Sequence, residues 1–439
     1  MNLLAHGILP KRIVYTLSLI SILLLPSIGS AGLEVSNPSR KYEVAIIKGE
    51  DLPITGESNE DYSLMAIEDG KLTPIPFQFD DMNVKGLTFV PGAVVKVDGK
   101  ENVVEAKDEL AFMYKDMGPK SDDAALKDME GTIVSELGIA EDGTSRYAYL
   151  VKGNSQRSEK VYAHYDFETG FIETETYSIQ FDPKNITVWS DWKIKGLTGT
   201  DSAPNVLDTM KARFFVRIGF LKASLHNAII PARTIAVKNG PIRSIVEADI
   251  SIGALGIDIL SGGVSVTLTP RAIRYPIFAF FPKAAKALSE FYIDVTVDHV
   301  DFEGTRYKSS LGPDEPLIAG QKYSDKVREQ YKSNIDHPWV SISSGHNWDM
   351  FFISRLSEGF EPTVSALYRD AGSGDKPNKP ENFKGSSAEM GLRLSDVPVG
   401  NDTIFEYSLY FGPGLWQGND PKQAAHDIFN PAKITVNNL

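Results

Sequence analysis

The chain has 439 residues, 42% of them hydrophobic and 23% charged, a globular composition that excludes wholesale disorder. Forty-five Lys and Arg stand against 58 Asp and Glu, a net charge of −13, so the basic footprint of a general nucleic-acid binder is missing. There is no cysteine, which removes disulfides, thiolate catalysis, iron–sulfur clusters and Cys-ligated zinc.

Read from the N-terminus, residues 1–31 have the form of a signal peptide. Lys11 and Arg12 precede an apolar run at residues 13–25, Pro26 breaks it, and Gly29-Ser30-Ala31 places small residues before a cut after Ala31. The run is shorter than the ~20 residues a spanning helix needs. The expectation is export to a periplasm or cell surface, with no transmembrane span left after signal removal. Period-2 alternation then predicts strands at 41–47, 146–152, 160–165, 177–181, 186–192, 212–218, 245–252, 264–268, 291–297, 339–343, 350–355 and 405–411. Asn239-Gly240-Pro241 and Ser261-Gly262-Gly263 read as turns. Helices are expected only at 282–290, 324–333 and 420–429, and polar loops at 312–324 and 370–384. The fold class is therefore mainly β: antiparallel sheets packed as sandwiches, one unit at 32–155 and a larger one at 156–439, with few short helices.

The first segment holds an acidic stretch. Set against a twelve-residue calcium loop, Asp98, Asn102 and Glu109 occupy positions 1, 5 and 12, but Lys100 stands at position 3 and Val103 at position 6, where a ligand and a glycine belong. A hairpin turning at Asp98-Gly99 is the preferred reading, with no cofactor; calcium is the alternative. Around it, Ile75-Pro76-Phe77-Gln78-Phe79-Asp80, Asp108-Glu109-Leu110-Ala111-Phe112-Met113 and Asp116-Met117-Gly118 resemble a strand pattern of secreted bacterial proteins of unassigned role. The resemblance implies a domain type and no activity.

In the second segment, Asn239-Gly240-Pro241-Ile242-Arg243 resembles a strand opening of secreted polysaccharide-lyase-related proteins of the rhamnogalacturonan exolyase-like group. Residues 407–412, ending Tyr410-Phe411-Gly412, resemble the last strand of a galactose-mutarotase-like β-supersandwich. What the resemblance implies is that fold and a carbohydrate-facing surface; it carries over no catalytic residue. From residue type alone, His337, Trp339, His346, Asn347, Trp348 and Asp349 form a ligand-binding candidate, since aromatic faces stack on sugar rings while His, Asn and Asp bond hydroxyls. His164, Tyr165, Tyr177 and Arg243 form a catalytic candidate, because β-elimination next to a uronate needs a base and a cation. In so acidic a chain, Arg243, Arg271, Arg274 and Lys283 are the residues from which a local basic cleft would be built. The expected partner is a polysaccharide or oligosaccharide, bound or processed in a lyase-like way. The alternative is a non-enzymatic envelope or surface protein that binds another protein.

Overall fold

The computed structural model describes residues 33–122, 129–141, 143–195, 203–230, 232–300, 304–331, 338–370, 388–418 and 420–439. In chain order the first strands are β1 (Val44–Lys48), β2 (Tyr62–Glu68), β3 (Lys71–Pro74), β4 (Phe77–Asp80), β5 (Glu109–Met113), β6 (Thr132–Glu141) and β7 (Thr144–Lys152). A meander follows: β8 (Ala163–Asp166), β9 (Phe171–Thr174), β10 (Tyr177–Asp182) and β11 (Asn185–Ile194). Then come β12 (Leu207–Ile218), β13 (Leu221–His226), β14 (Ala232–Asn239), β15 (Ser244–Ala254), β16 (Ile257–Leu268), β17 (Ala272–Phe280), β18 (Glu290–His299), β19 (Arg306–Ser309) and β20 (Leu317–Ile318). The last are β21 (Trp339–Ser343), β22 (Asp349–Leu356), β23 (Thr363–Asp370), β24 (Ala388–Ser395), β25 (Asp402–Gly412) and β26 (Thr435–Asn438). Among the described residues the α-helices are α1 (Asp325–Gln330), capped by Ser324, and α2 (Lys422–Phe429). None of these helices is long and apolar enough to cross a membrane.

The molecule is mainly β and its sheets are antiparallel. The first sandwich pairs a three-stranded sheet, β1-β5-β4, with a five-stranded one, β26-β6-β7-β2-β3. Ile47, Leu64, Leu110, Phe112, Leu137 and Leu150 fill the space between them. The last strand, β26, thus returns to the first sandwich. The larger sandwich combines sheets of four strands (β11-β10-β9-β8), five (β13-β12-β18-β24-β23) and nine (β14-β15-β16-β17-β25-β22-β21-β19-β20). They share one core, in which Trp192, Phe214, Val266, Ile273, Val295, Leu392 and Leu409 meet. Residues 32–439 form one compact unit.

Three local expectations change. Residues 282–290 shorten to a 3-10 turn, Lys283–Ala287, which has no side-chain cap to extend it. Ser261-Gly262-Gly263 is strand, not turn: a side chain at Gly262 would sit 1.9 Å from the Phe278 carbonyl oxygen, so the glycine admits β17. The β15–β16 turn is instead Leu255-Gly256, with φ of 53° and 75°, the left-handed pair a two-residue hairpin needs. Residues 93–104 make no hairpin: Val97 bridges Asn83 and Val103 bridges Ser58. The loop expected at 370–384 lies outside the described residues, apart from Asp370.

One buried electrostatic clasp joins the two sandwiches. Asp80 and Glu109 are directly opposed on β4 and β5, a placement that repels when both are ionised. Arg243, 3% exposed, enters between them: Nε donates to Asp80 Oδ2 at 2.8 Å and Nη2 to Glu109 Oε2 at 2.6 Å. Lys238 pairs with the other Asp80 oxygen at 2.7 Å, and Lys48 with the other Glu109 oxygen at 2.6 Å. Burial pushes both carboxyls up, but Arg243 with these lysines outweighs it and holds them below the ordinary range. Gln78 completes the clasp: its Oε1 accepts from the backbone N–H of Ile242 (3.0 Å) and Arg243 (2.9 Å), and its Nε2 donates to Asp80 at 2.7 Å. A side chain at Gly240 would lie 2.2 Å from Gln78 Oε1, which is why the β14–β15 turn requires glycine there.

Arg243→Met strands two buried carboxylates and should lower stability by about 3–5 kcal/mol at pH 7. Carboxyls depressed in the folded state stabilise it above their unfolded pKa and lose that contribution as pH falls through the folded one. The deficit should therefore shrink on acidification. A urea-unfolding series against pH measures it, and a deficit independent of pH contradicts the clasp.

Candidate functional site

Alternation along the nine-stranded sheet sends Val246, Val264, Val266, Ile273, Tyr275, Phe405, Tyr407 and Leu409 into the large core. The intervening positions, Glu247, Ser265, Thr267, Arg274, Glu406, Ser408, Tyr410 and Arg355, occupy the sheet's other face. Two bodies cover that face in part. Helix α2 seals one side through Ala424, Ala425 and Ile428 on Trp339, Phe351 and Ile353. The first sandwich seals another, with Ala111 and Met113 on Ile242 and Val90 on Ile245. A polar cleft is left between them. It consists of two cavities of about 250 and 260 Å³ whose walls share Arg243, Arg274 and Arg355.

Most of these cations are saturated. Arg274 grips Glu406 with both branches, at 3.0 and 2.7 Å. Arg355 reaches Glu406 at 3.1 Å, the Tyr410 hydroxyl at 3.3 Å and the Ile428 carbonyl at 3.0 Å. Burial raises the Glu406 carboxyl, yet Arg274 and then Arg355 bring it down to about 2. Glu247 has no such cation. It stands opposite Ser265, which lines the second cavity, and burial pushes it up to about 7. Arg271, in the β16–β17 turn, lines the first cavity beside Tyr42, Tyr410 and Phe429. The cleft thus offers planar cations, aromatic rings and a permanently ionised carboxylate, while Glu247, on the same sheet face beside Ser265, lines neither cavity.

Of the residues expected to build a basic cleft, Arg243, Arg271 and Arg274 line these cavities beside Glu43, Glu109, Glu406 and Asp427, and Lys283 is exposed and lines neither. Of the catalytic candidates only Arg243 reaches the cleft. His164 is exposed on β8, while Tyr165 and Tyr177 are buried in the large core, which pushes the Tyr165 hydroxyl up to about 12 and that of Tyr177 well above its ordinary value. The aromatic–histidine candidate separates. Trp339 packs under α2 against Phe351, with ring centres 5.5 Å apart. Trp348 faces the large core, 5.6 Å from Trp192. His346 and Asn347 form an exposed turn, Asn347 at φ 64°. Asp349 is buried and accepts the Trp416 N–H at 2.9 Å. His337 lies outside the described residues.

The acidic stretch is built to hold its own loop. Asp81 accepts from the Asn102 N–H, Asp108 from those of Met82 and Glu105. Asp98 pairs with Lys107 at 2.9 Å and Glu109 belongs to the Arg243 clasp, while Asn102 is exposed in a left-handed turn at φ 62°. Among the described residues no group of three or more His, Asp or Glu is placed to hold a metal ion. Sequence reading missed Glu247, Glu406, Arg355 and Tyr410. Their only signal is the polar phase of strands read for their apolar phase.

No family model matches the chain, and no curated protein matches it. Among solved structures, an α-mannosidase from Enterococcus faecalis V583 is 11% identical, with a TM-score of 0.49 over 91% of this chain and 45% of that one. A galactose mutarotase-like protein from Clostridium acetobutylicum is 8% identical, with a TM-score of 0.33 over 58% of this chain and 100% of that one. A putative aldose 1-epimerase from Escherichia coli K12 is 9% identical, with a TM-score of 0.32 over 54% and 97%. The chain spans less than half the length of the mannosidase.

Glu247→Gln tests the electrostatics of the face. A carboxyl raised in the folded state weakens folding wherever the unfolded chain ionises more readily, so wild-type stability should fall as pH rises from about 4.5 to about 7. The variant should lack this slope and be more stable at pH 8, by up to about 3 kcal/mol, with little change at pH 4. Chemical denaturation at the two pH values measures it; an unchanged slope contradicts the assignment.

Proposed function

We propose that the chain is an exported carbohydrate-binding protein whose saccharide lies in the cleft on the polar face of the nine-stranded sheet. The observation that carries this reading is the composition of the cleft wall, with Arg243, Arg274 and Arg355 common to both cavities and Tyr42 and Tyr410 beside them. Guanidinium forks held rigid by Glu406 and the clasp donate to sugar oxygens without losing further freedom on binding. Aromatic rings supply the apolar face on which a pyranose stacks. The signal-like residues 1–31 support export.

Lyase-like processing is the catalytic form of the same reading, with Glu247, next to the cleft through its cross-strand partner Ser265 but lining neither cavity, as the candidate base. A carboxyl titrating near 7 is matched to taking and returning a proton at neutral pH. In a β-elimination it would remove the proton beside a uronate carboxylate as the glycosidic C–O bond breaks and a C=C bond forms. Binding without turnover needs only the arginines and tyrosines.

A glycan array probed with residues 32–439 tests the reading. One polysaccharide class should bind, Tyr410→Ala should lose at least tenfold in affinity, and His346→Ala, on the remote exposed turn, should bind as the wild type does. For the catalytic form, unsaturated products should appear from that polymer and vanish with Glu247→Gln while binding persists. An array with no hit overturns the carbohydrate reading in favour of a protein partner.

A further inference from the structure

The arginines of the cleft are not equivalent. Arg243 is held by Asp80 and Glu109, Arg274 by Glu406, and Arg355 by Glu406, Tyr410 and the Ile428 carbonyl. Arg271 has no such partner. It is 5% exposed, its Nη1 is shut off from water, and no hydrogen bond or ion pair reaches its guanidinium among the described residues. Its backbone is fixed: Thr269 Oγ1 accepts from its N–H, and its carbonyl accepts from the Phe411 N–H at 2.9 Å. Its guanidinium lies over the Tyr410 ring, 5.5 Å from the centre.

The nearest carboxylates are committed elsewhere. Glu43 takes Arg40 at 2.6 Å and the Ala432 N–H at 2.8 Å. Asp427 takes Ser39, Asn37 and Gln423. Burial lowers the Arg271 pKa, but a guanidinium stays protonated at any physiological pH. A buried cation with no hydrogen-bonded counter-ion is a penalty on the fold that nearby charges only reduce, and an entering anion removes it.

We infer that Arg271 is the anion subsite of the cleft, taking a singly charged oxyanion, a carboxylate or a sulfate ester, carried by an acidic saccharide. The inference rests on the cleft being the saccharide site. The planar fork matches either group, and the Tyr410 ring beneath it leaves the edge of the guanidinium to the ligand. Glu43 and Asp427 on the same cavity wall disfavour a doubly charged phosphate, because each added negative charge meets both of them.

The test uses residues 32–439 with glucuronate, glucose 6-sulfate and glucose as probes at fixed ionic strength, read by calorimetry and thermal shift. One or both acidic sugars should bind and raise the melting temperature, glucose should do neither, and the sugar that binds tells carboxylate from sulfate. Arg271→Gln should lose at least tenfold in affinity and, free of ligand, melt no lower than the wild type, since it removes an unpaired charge; Arg271→Lys should keep part of the affinity. Equal binding of glucose, unchanged affinity in Arg271→Gln, or silence of all three sugars overturns the subsite. So does a lower melting temperature of ligand-free Arg271→Gln, which marks a structural arginine. A hit on a neutral glycan in the array would leave the cleft reading standing while this inference falls.

Discussion

Two carboxylates facing each other across adjacent strands are a liability that a β-sheet does not resolve by itself. Asp80 and Glu109 are such a pair, and Asp80 is fully buried. The cation that resolves it comes from the other sandwich, on the strand opening after Gly240. The first sandwich is therefore electrostatically incomplete unless Arg243 is inserted, and Arg243 lacks its counter-ions unless the first sandwich is docked. This mutual need fixes the position of the three-stranded sheet over the nine-stranded one, and with it one wall of the cleft.

The same logic explains why a charged face survives inside a large β protein. A sheet buried on one side and solvated on the other alternates apolar with polar residues. Here the solvated side is partly roofed by α2 and the first sandwich, so its charges are drawn into a low-dielectric space where each must be matched. Arg274 and Arg355 are matched by Glu406, which becomes a strong acid in consequence. Glu247, one strand beyond Ser265, meets no cation and becomes a weak one. Neither residue is unusual as a residue; the two carboxyls differ because Arg274 and Arg355 reach Glu406, while Arg243, at the head of the Glu247 strand, is taken by Asp80 and Glu109.

Much of this was legible in the sequence, in pieces. Period-2 alternation located the strands because burial on one face imposes it, and Gln78, Asp80, Glu109 and Arg243 all fell within motifs that stood out. That these motifs meet was not legible, since 163 positions separate Asp80 from Arg243 and no local pattern encodes a docking geometry. The tryptophans misled for a related reason. Trp339 and Trp348 are close in sequence, but in the β21–β22 hairpin Trp339 pairs with Ile353 and Trp348 sits beside Ser344 at the turn. The strand pleat then sends one ring under α2 and the other into the large core. Glu247 and Glu406 were invisible because their character depends on cross-strand neighbours, not on flanking residues.

Charge distribution bears on what such a cleft can admit. At a net −13 the surface repels an anionic polymer at long range, but at physiological salt the Debye length is about 8 Å, so that repulsion is largely screened until contact. Inside the cleft the screening fails and the local cations dominate. Three of the four lining arginines have already given their charge to Asp80, Glu109 and Glu406, and so provide shape and donors with little net attraction. Arg271 alone has no carboxylate bonded to it, with Glu43 and Asp427 acting on it only through space, which makes an anion's position in the cleft a matter of one residue. A neutral saccharide would gain from the saturated forks and the tyrosine rings and leave that charge as costly as before. An acidic one gains from both, and the discrimination between them is set by the desolvation that Arg271 has undergone already in folding.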